Sequence, residues 1–414
     1  SRSVHGQGLL NPGKIFPQEQ DNGHEDKPSG RQYIHLTPVE DLISITSDGT
    51  YRPVTAEDAI ETIRALTDAG KHIRVQGGGT KSLSLSSPVN HSRLSTLGLS
   101  GIHAYTLDDL YVTVGAGTPL ISLQRKLAED DMWVPWVSPW AEATVGGIVA
   151  SNFNAPLRMR YGGVRDLVLA LTAVLPDGRV IRAGRPVMKN VAGYDLAKLF
   201  VGSYGVLGLI TDVTLKLAPR PRSRVTYIVP VDNVHRGLAW GQALLRVALV
   251  ASSVLLCGGD RVSEIEAPYG LCYTAEGIQQ DVQAELAEVR ATLGRLGAPK
   301  PVELPGLDGV SDPCERWAAW MGAEDALLPL VRVGVPPKDL RAWVVHGVSE
   351  GLLTLKAPLT DGAPSLIADF AHGFCYVRGV QDITALRQTA LAYGGYAVVL
   401  RANRDISVED RWGY

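Results

Sequence analysis

The chain has 414 residues, enough for two or three domains with their own cores, and 45% of them are hydrophobic, as in an ordinary globular protein. Forty Lys and Arg against 43 Asp and Glu leave a formal charge of -3, which excludes the basic footprint of a nucleic-acid-binding protein. Cys257, Cys272, Cys314 and Cys375 form no CxxC, so no zinc ribbon or iron–sulfur loop is expected within this chain, and a reduced, cytoplasmic setting is.

Ser1 stands where methionine would, and the visible start is read as a processed or truncated end. Residues 1–35 are polar and aperiodic and read as a tail or linker. Folded structure is expected to begin near Tyr51. Thr55 caps a helix with Asp58 in the capping-box position, and Ala59, Ile60, Ile63 and Leu66 line one face until Ala69-Gly70. HIRVQ then reads as a strand that runs into the sharp loop Gly77-Gly78-Gly79-Thr80. GIHAYTLDDLYVTVGAGTPL reads as a hairpin followed by a helix from Thr118-Pro119, with Leu120, Leu123 and Leu127 buried. Leu120 occupies the third glycine position of G-x-G-x-x-G, so a nicotinamide-type Rossmann site is not supported.

The stretch Ser138–Arg222 is dense in glycine and poor in charge. Thr144-Val145-Gly146-Gly147 opens an apolar helical turn whose amides are expected to cradle a pyrophosphate. LVLALTAVL, Pro176-Asp177-Gly178 and RVIRA read as a hairpin. GYDLAKLFVGS reads as a short helix with Leu196, Leu199 and Phe200 inward. Gly202, Gly205 and Gly208 lead into the strand LITDVTLKL, which Pro219 and Pro221 end. Glycine turns spaced between strand and helix signals point to a large phosphate-bearing cofactor.

Beyond Arg222, TYIVPV reads as a strand (Thr226–Val231), LAWGQALLRVALVA as a helix and SSVLLC as a strand. Gln242, Arg246, Ser252 and Ser253 make Leu238–Cys257 too polar for a bilayer span. A long amphipathic helix presents Val282, Leu286, Val289, Leu293 and Leu296, and YGGYAVVLR closes the pattern as a strand. This part has an α+β texture and no recognisable catalytic motif.

The blocks VQGGGTK, TVGGIVASN, RYGGVRDLVL, PDGRVIRAG and KNVAGYDLAKLFVGSYGVLGLITDVTLKLAPRP, in that order, resemble the FAD-binding domain of the vanillyl-alcohol oxidase superfamily, the PCMH type. Within it, MKNVAGYDLAKLFVGSYGVLG is similar to the smaller FAD-binding subunit of bacterial glycolate oxidase. Most relatives have G-S-E-G-T-L-G there, whereas this chain has Tyr204 in place of the glutamate. The likeness covers residues 50–222 and extends only loosely beyond. It implies an α+β chain: a two-lobed PCMH-type FAD-binding domain over residues 36–222, then an α+β cap or subunit-interface domain over residues 223–414.

Carried onto this sequence, the resemblance implies that Gly77, Gly78, Gly79 and Thr80 wrap the pyrophosphate. Thr144, Gly146, Gly147 and Ser151 supply a second phosphate- and ribityl-facing wall. Tyr161, Gly162 and Asp166 lie on the loop before the hairpin, and Gly202, Gly205, Gly208 and Ile210 line the adenosine or flavin side. Lys189 and Asn190 either face the flavin or cap a turn, and Tyr194 either packs or hydrogen-bonds nearby. Thr80 stands where covalent-flavin relatives place histidine, so FAD is expected to be non-covalent. His372, Arg378 and Arg401 form the candidate catalytic constellation for a carboxylate substrate, with surface ion pairs as the rival reading. Trp133, Trp136 and Trp140 roof an aromatic site or belong to a core or interface. Cys375 reads as a small buried hydrophobe.

Catalytic relatives carry a histidine-rich metal motif in the cap. Here His235, His346 and His372 are far apart in sequence, no metal site is expected, and dehydrogenation is assigned to a larger flavoprotein subunit. GLLNPGKIFP, at Gly8–Pro17, resembles the C-terminal end of that larger subunit and suggests the rear part of a fusion; the alternative is an ordinary Asn-Pro-Gly turn. The implied function is an FAD-binding subunit of a glycolate (2-hydroxyacid) oxidase complex that passes electrons to an iron–sulfur subunit. It would be cytoplasmic, with or without peripheral attachment to the membrane through partners. A non-catalytic scaffold and an independent FAD oxidoreductase are the alternatives.

Overall fold

The computed structural model describes residues 46–81, 91–185, 195–258, 265–306, 313–322, 329–353, 365–380, 382–402 and 411–412. The Gly8–Pro17 phrase, Lys189, Asn190 and Tyr194 lie outside them.

Helix α1 (Ala56–Asp68) starts where its sequence says it should: Thr55 Oγ1 accepts from the Asp58 amide at 3.0 Å, and the Asp58 carboxylate accepts from the Thr55 amide at 3.2 Å. Its buried face packs beneath β1 (His72–Gln76), which pairs in parallel with β2 (His91–Ser95). The chain continues through β3 (Ile102–Thr106), β4 (Tyr111–Gly115), α2 (Leu120–Ala128) and β5 (Met132–Trp133). Then come three short helices, α3 (Val145–Ser151), α4 (Arg158–Tyr161) and α5 (Val164–Leu167). The strands β6 (Val168–Val174) and β7 (Val180–Gly184) precede α6 (Ala197–Phe200) and β8 (Leu209–Lys216).

The strands assemble as an antiparallel five-stranded sheet in the order β3-β4-β8-β6-β7. Val112, Val114, Val213, Leu215 and Ala173 from the sheet pack against Leu123 and Leu127 of α2 and Ile148 and Val149 of α3. In α6, Ala197 and Phe200 are buried but Leu199 is 60% exposed. A helix of one turn has a single inward row, i and i+3, and Leu199 falls off it.

β9 (Ala218–Pro219) pairs with β5, and the second half follows. Its elements are β10 (Ser223–Val231), α7 (Val234–Leu244), β11 (Ala251–Gly258), β12 (Tyr269–Gly277), α8 (Gln279–Arg295), β13 (Val302–Pro305) and α9 (Pro313–Gly322). They continue with β14 (Leu330–Gly334), α10 (Leu340–Ser349), β15 (Ser365–Asp369), β16 (Phe374–Arg378), α11 (Ile383–Ala392) and β17 (Tyr396–Arg401). The eight strands form one sheet, ordered β13-β10-β12-β11-β15-β16-β14-β17.

Helix α7 stops at Leu244, short of the expected end, because Glu285 Oε2 accepts from the amides of both Leu249 and Val250 at 2.6 Å and turns the chain toward β11. Leu296, expected inward on α8, follows the helix end and is 43% exposed.

Alternation along the strands gives the eight-stranded sheet two buried faces. Tyr227, Val229, Leu256, Leu271 and Val377 face the helices, where Val282, Leu286, Val289 and Leu293 of α8 meet them. On the other face, Ile228, Leu255, Cys257, Cys272, Ile367 and Tyr376 share a core with Trp317 and Trp320 of α9 and with Phe153 and Ala155, which follow α3. That second core joins the halves of the molecule at the place where the glycine loops lie. Cys375 sits in the first core, fully buried, and burial pushes its thiol well above its ordinary value.

Candidate cofactor site

Strand β1 runs directly into the loop Gly77–Lys81. A Cβ on Gly77 would lie 2.4 Å from Thr144 Oγ1, and one on Gly78 would lie 1.7 Å from the Glu142 carbonyl oxygen. Only glycine lets this loop close on residues 142–144, and Gly79 turns it with φ +71°. Among the described residues nothing accepts from the amides of Gly78, Gly79 or Thr80.

The turn at Thr144–Gly147 is different, and it corrects the expectation of a second phosphate cradle. The Val145 amide donates to Thr118 O at 2.9 Å, the Gly146 amide to Ala116 O at 2.8 Å, and the Gly147 amide to Thr144 Oγ1 at 3.2 Å. These donors are engaged in docking α3 onto the loop after β4. Gly146 is required because a Cβ there would lie 2.6 Å from the Ala116 Cβ. Ser151 Oγ donates back to Gly147 O at 2.6 Å. Thr144, Gly146, Gly147 and Ser151 therefore shape a wall in which the amides of Gly146 and Gly147 are already engaged within the protein.

A third loop runs along α3, with the Gly202 amide on Val149 O and the Tyr204 amide on Ala150 O. Gly202, Tyr204 and Gly205 all have positive φ, and Gly205 faces Val75 of β1. Gly208 has φ +158°, and a Cβ there would lie 2.7 Å from Val174 O. Ser203 Oγ is buried without a hydrogen-bond partner. Ile210 is 5% exposed and packs in the core of the five-stranded sheet, where it supports β8. The Tyr204 ring meets Trp412 edge-on, the Arg411 guanidinium lies over both, and Arg411 Nη2 donates to Lys81 O at 3.4 Å. The first and third loops are thus tied together.

Lys81 is the residue that sequence reasoning missed. Its Nζ donates to Thr80 Oγ1 at 3.2 Å and lies 5.1 Å from the Trp140 ring centre and 5.5 Å from that of Phe153. No carboxylate pairs with it among the described residues. Burial pushes its pKa down to about 8. The signal in the sequence was a lysine directly after Gly-Gly-Gly-Thr, a position where a cation can reach a phosphate. Loop amides and an ammonium that meet no acceptor or carboxylate among the described residues, together with a hydroxyl, form a donor set that fits the pyrophosphate of a flavin dinucleotide.

Tyr161, Gly162 and Asp166 lie at the seam between the halves and do local work. Asp166 Oδ2 accepts from the Gly163 amide at 2.8 Å, capping α5, and Gly162 has φ +83°. Tyr161 meets Trp133 edge-on at 5.4 Å, and burial, then the nearby Glu276 carboxylate, push its hydroxyl pKa up. Trp133, Trp136 and Trp140 do not share one roof: Trp136 is buried in the first sheet's core, while Trp140 stacks toward Phe153.

The candidate catalytic residues do not converge. His372 Nδ1 is 2.7 Å from Asp369 Oδ2, in the turn between β15 and β16. Arg378 closes the far end of β16, about 13 Å of strand beyond Phe374. There its Nη2 donates to Trp320 O and its guanidinium lies 5.0 Å from the Trp320 ring centre. Leu330 of β14 pairs with both Arg378 and Arg401, so those two share one end of the sheet and His372 occupies the other. The neighbours of His372 are Phe374, at 6.1 Å, and the guanidinium groups of Arg332 and Arg158 over that same ring. Strand pairing across the sheet brings Arg332 there, which no local pattern reveals. Among the described residues no group of three or more His, Cys, Asp or Glu is placed to hold a metal, and no helix is long and apolar enough to cross a membrane.

Comparison with known proteins agrees with this geometry. Residues 47–184 match the family described as FAD binding domain. Glycolate oxidase subunit GlcE of Escherichia coli (strain K12) is 40% identical over 154 residues, 37% of this chain and 44% of that protein. Glycolate oxidase subunit GlcD of Bacillus subtilis (strain 168) is 30% identical, over 44% of this chain and 42% of the relative. The D-lactate dehydrogenase of Anaerostipes hadrus is 35% identical, over 35% and 31%. The chain spans less than half the length of these relatives. In fold it is similar to p-cresol methylhydroxylase with substrate bound, at a TM-score of 0.67 and 14% identity over 86% of this chain and 81% of that one. An alkyldihydroxyacetonephosphate synthase gives 0.62 and 15% over 84% and 72%. Residues 47–184 therefore match an FAD-binding domain, with FAD as its cofactor, and the fold as a whole is similar to that of p-cresol methylhydroxylase.

Proposed function

We propose that this chain is the FAD-binding subunit of a complex that oxidises a 2-hydroxyacid such as glycolate and passes the electrons to an iron–sulfur partner. We read residues 36–222 as the FAD-binding domain and 223–414 as a cap and subunit interface. The observation that carries the reading is the clasp of Gly77–Lys81 on residues 142–144, in which the amides of Gly78, Gly79 and Thr80 meet no acceptor among the described residues. Gly77, Gly78, Gly79 and Thr80 hold the pyrophosphate, and Gly202, Gly205 and Gly208 let the third loop approach from the side. Thr80 forms no covalent link, so FAD is held non-covalently. Bound FAD supplies two-electron acceptance from an organic donor and stepwise release to a one-electron carrier.

The choice of a partner as the dehydrogenation site is supported by the packing of the cap. Phe153, Trp317 and Tyr376 stack at 5.8 and 5.7 Å, and Trp317 and Tyr376 are 1% and 2% exposed. The sheet face turned toward the first half is thus a filled core, which favours an electron carrier or a scaffold over an independent oxidoreductase. The described cysteines, Cys257, Cys272 and Cys375, are buried in the second sheet, which supports reading the one-electron carrier as part of another subunit.

The test is an absorption spectrum of the purified chain before and after anaerobic glycolate. Oxidised flavin bands near roughly 370 and 450 nm are expected, unchanged by glycolate until the larger subunit is added. Bleaching by glycolate in the isolated chain would overturn the partner reading, and absence of the bands would leave a scaffold.

A further inference from the structure

We infer that Lys81 is the cationic anchor of the cofactor site, its Nζ supplying the fixed positive charge for the phosphoanhydride bridge of a flavin dinucleotide. This rests on the reading of the chain as an FAD-binding subunit and goes beyond the backbone loops to name a side chain.

An ammonium carries three donors and no acceptor. In Lys81 the described structure satisfies one of them, on the hydroxyl of the neighbouring Thr80. Among the described residues, the rings of Trp140 and Phe153 face it, which hold a cation by their faces but return no negative charge. A half-buried cation with no counter-ion among the described residues costs free energy unless a ligand supplies the charge. The group is also held in place. Arg411 fixes the Lys81 carbonyl while lying over Tyr204, so the peptide at Lys81 is positioned from the third loop as well as from β1. The amides of Gly78, Gly79 and Thr80 stand immediately before it along the chain. Amides and ammonium together match an anion with oxygens along an extended bridge, as in other loops where glycine amides and one lysine share phosphates.

A purely structural role, with Lys81 as a cation clamped between two rings, predicts something different. Lys81→Met would then destabilise the flavin-free chain. If the ammonium waits for an anion, the same change leaves flavin-free stability equal or higher and weakens the cofactor.

The experiment compares the wild-type chain with Lys81→Met and Lys81→Arg by FAD titration, followed by flavin fluorescence, and by melting of the flavin-free proteins. Lys81→Met should raise the Kd for FAD roughly 10- to 100-fold, the loss expected for one charge-assisted contact. Lys81→Arg should retain most of the affinity, and flavin-free Lys81→Met should melt at or above the wild type. FAD affinity of Lys81→Met within about twofold of wild type overturns the inference. So does a well-folded Lys81→Arg as weak as Lys81→Met. Should Lys81→Met not fold, amine-reactive labelling of the wild-type chain read by mass spectrometry decides: FAD should protect Lys81, and equal labelling with and without FAD overturns the assignment. A wild-type chain that takes up no FAD sinks the FAD-binding reading and this one with it. A wild type that binds FAD beside an indifferent Lys81→Met sinks only the role of Lys81.

Discussion

Arg224 and Glu276 form an ion pair across β10 and β12, with the Glu276 side chain fully buried and that of Arg224 12% exposed. The pair lies where the first half of the molecule meets the second. The Arg224 guanidinium stands over Trp133, and the Tyr161 hydroxyl feels the Glu276 charge. A carboxylate this deep is tolerable only while its partner is present.

Removing it should therefore be costly. Glu276→Ala leaves the guanidinium of Arg224 without its carboxylate at a buried seam and is expected to cost about 3–5 kcal/mol. Denaturant titration of the full chain measures this as a fall in the midpoint. A change of less than about 1 kcal/mol, the worth of an exposed pair, would show that water reaches the seam and relieves it.

Gly78 is the tightest point of the loop clasp. A Cβ there would meet the Glu142 carbonyl at 1.7 Å, and backbone cannot rotate away as a side chain can. Gly78→Ala should open the loop from residues 142–144 and raise the Kd for FAD by at least about tenfold, or 1.4 kcal/mol. Flavin titration checks it, and unchanged affinity would mean that the clasp does not organise the cofactor loop.

The elements that the sequence discloses are those whose signals are local. Thr55 with Asp58 marks the start of α1, and Val282, Leu286, Val289 and Leu293 recur at helical spacing, so both helices stand where periodicity and caps put them. The amides of Val145 and Gly146 show the limit. Thr144-Val145-Gly146-Gly147 looks like a phosphate turn until Ala116 and Thr118, distant in sequence, accept from it. Lys81 is similar: its neighbours Trp140 and Phe153 come from a segment far along the chain, and only the fold sets a surface-type residue against their rings. Residue type alone groups His372, Arg378 and Arg401, but it carries no information about which end of a strand each occupies.

Gly294 provides the contrast to Gly78. It is exposed near the end of α8, without positive φ, and a Cβ there would meet nothing within 4 Å. Gly294→Ala should stabilise the chain by up to about 1 kcal/mol, through helix propensity and a less flexible unfolded state, with FAD affinity unchanged. Melting and flavin titration together check it. A weakened cofactor in this variant would mean that the effect of Gly78→Ala is not specific to the loop.

The last prediction concerns pH. Burial holds Lys81 at about 8, against 10.5 for an ordinary lysine. Between those values the unfolded chain binds more protons than the folded, flavin-free chain, so stability rises with pH across the window. The penalty of the desolvated ammonium is fully present below about pH 8 and fades as the pH rises toward 10.5. The charged groups on the elements packed around it are Arg74, Glu142 and Arg411. Tyr161 and Tyr204, whose pKa values burial raises, act in the opposite sense and only from about pH 10, where unfolded tyrosines begin to ionise. Flavin-free Lys81→Met should therefore exceed the wild type in stability by on the order of 1–3 kcal/mol near pH 7, with the gap closing by pH 10. Denaturant midpoints of both proteins at several pH values measure the gap. A gap that stays constant from pH 7 to 10 would show that Lys81 titrates as an exposed lysine does, in water and not between Trp140 and Phe153.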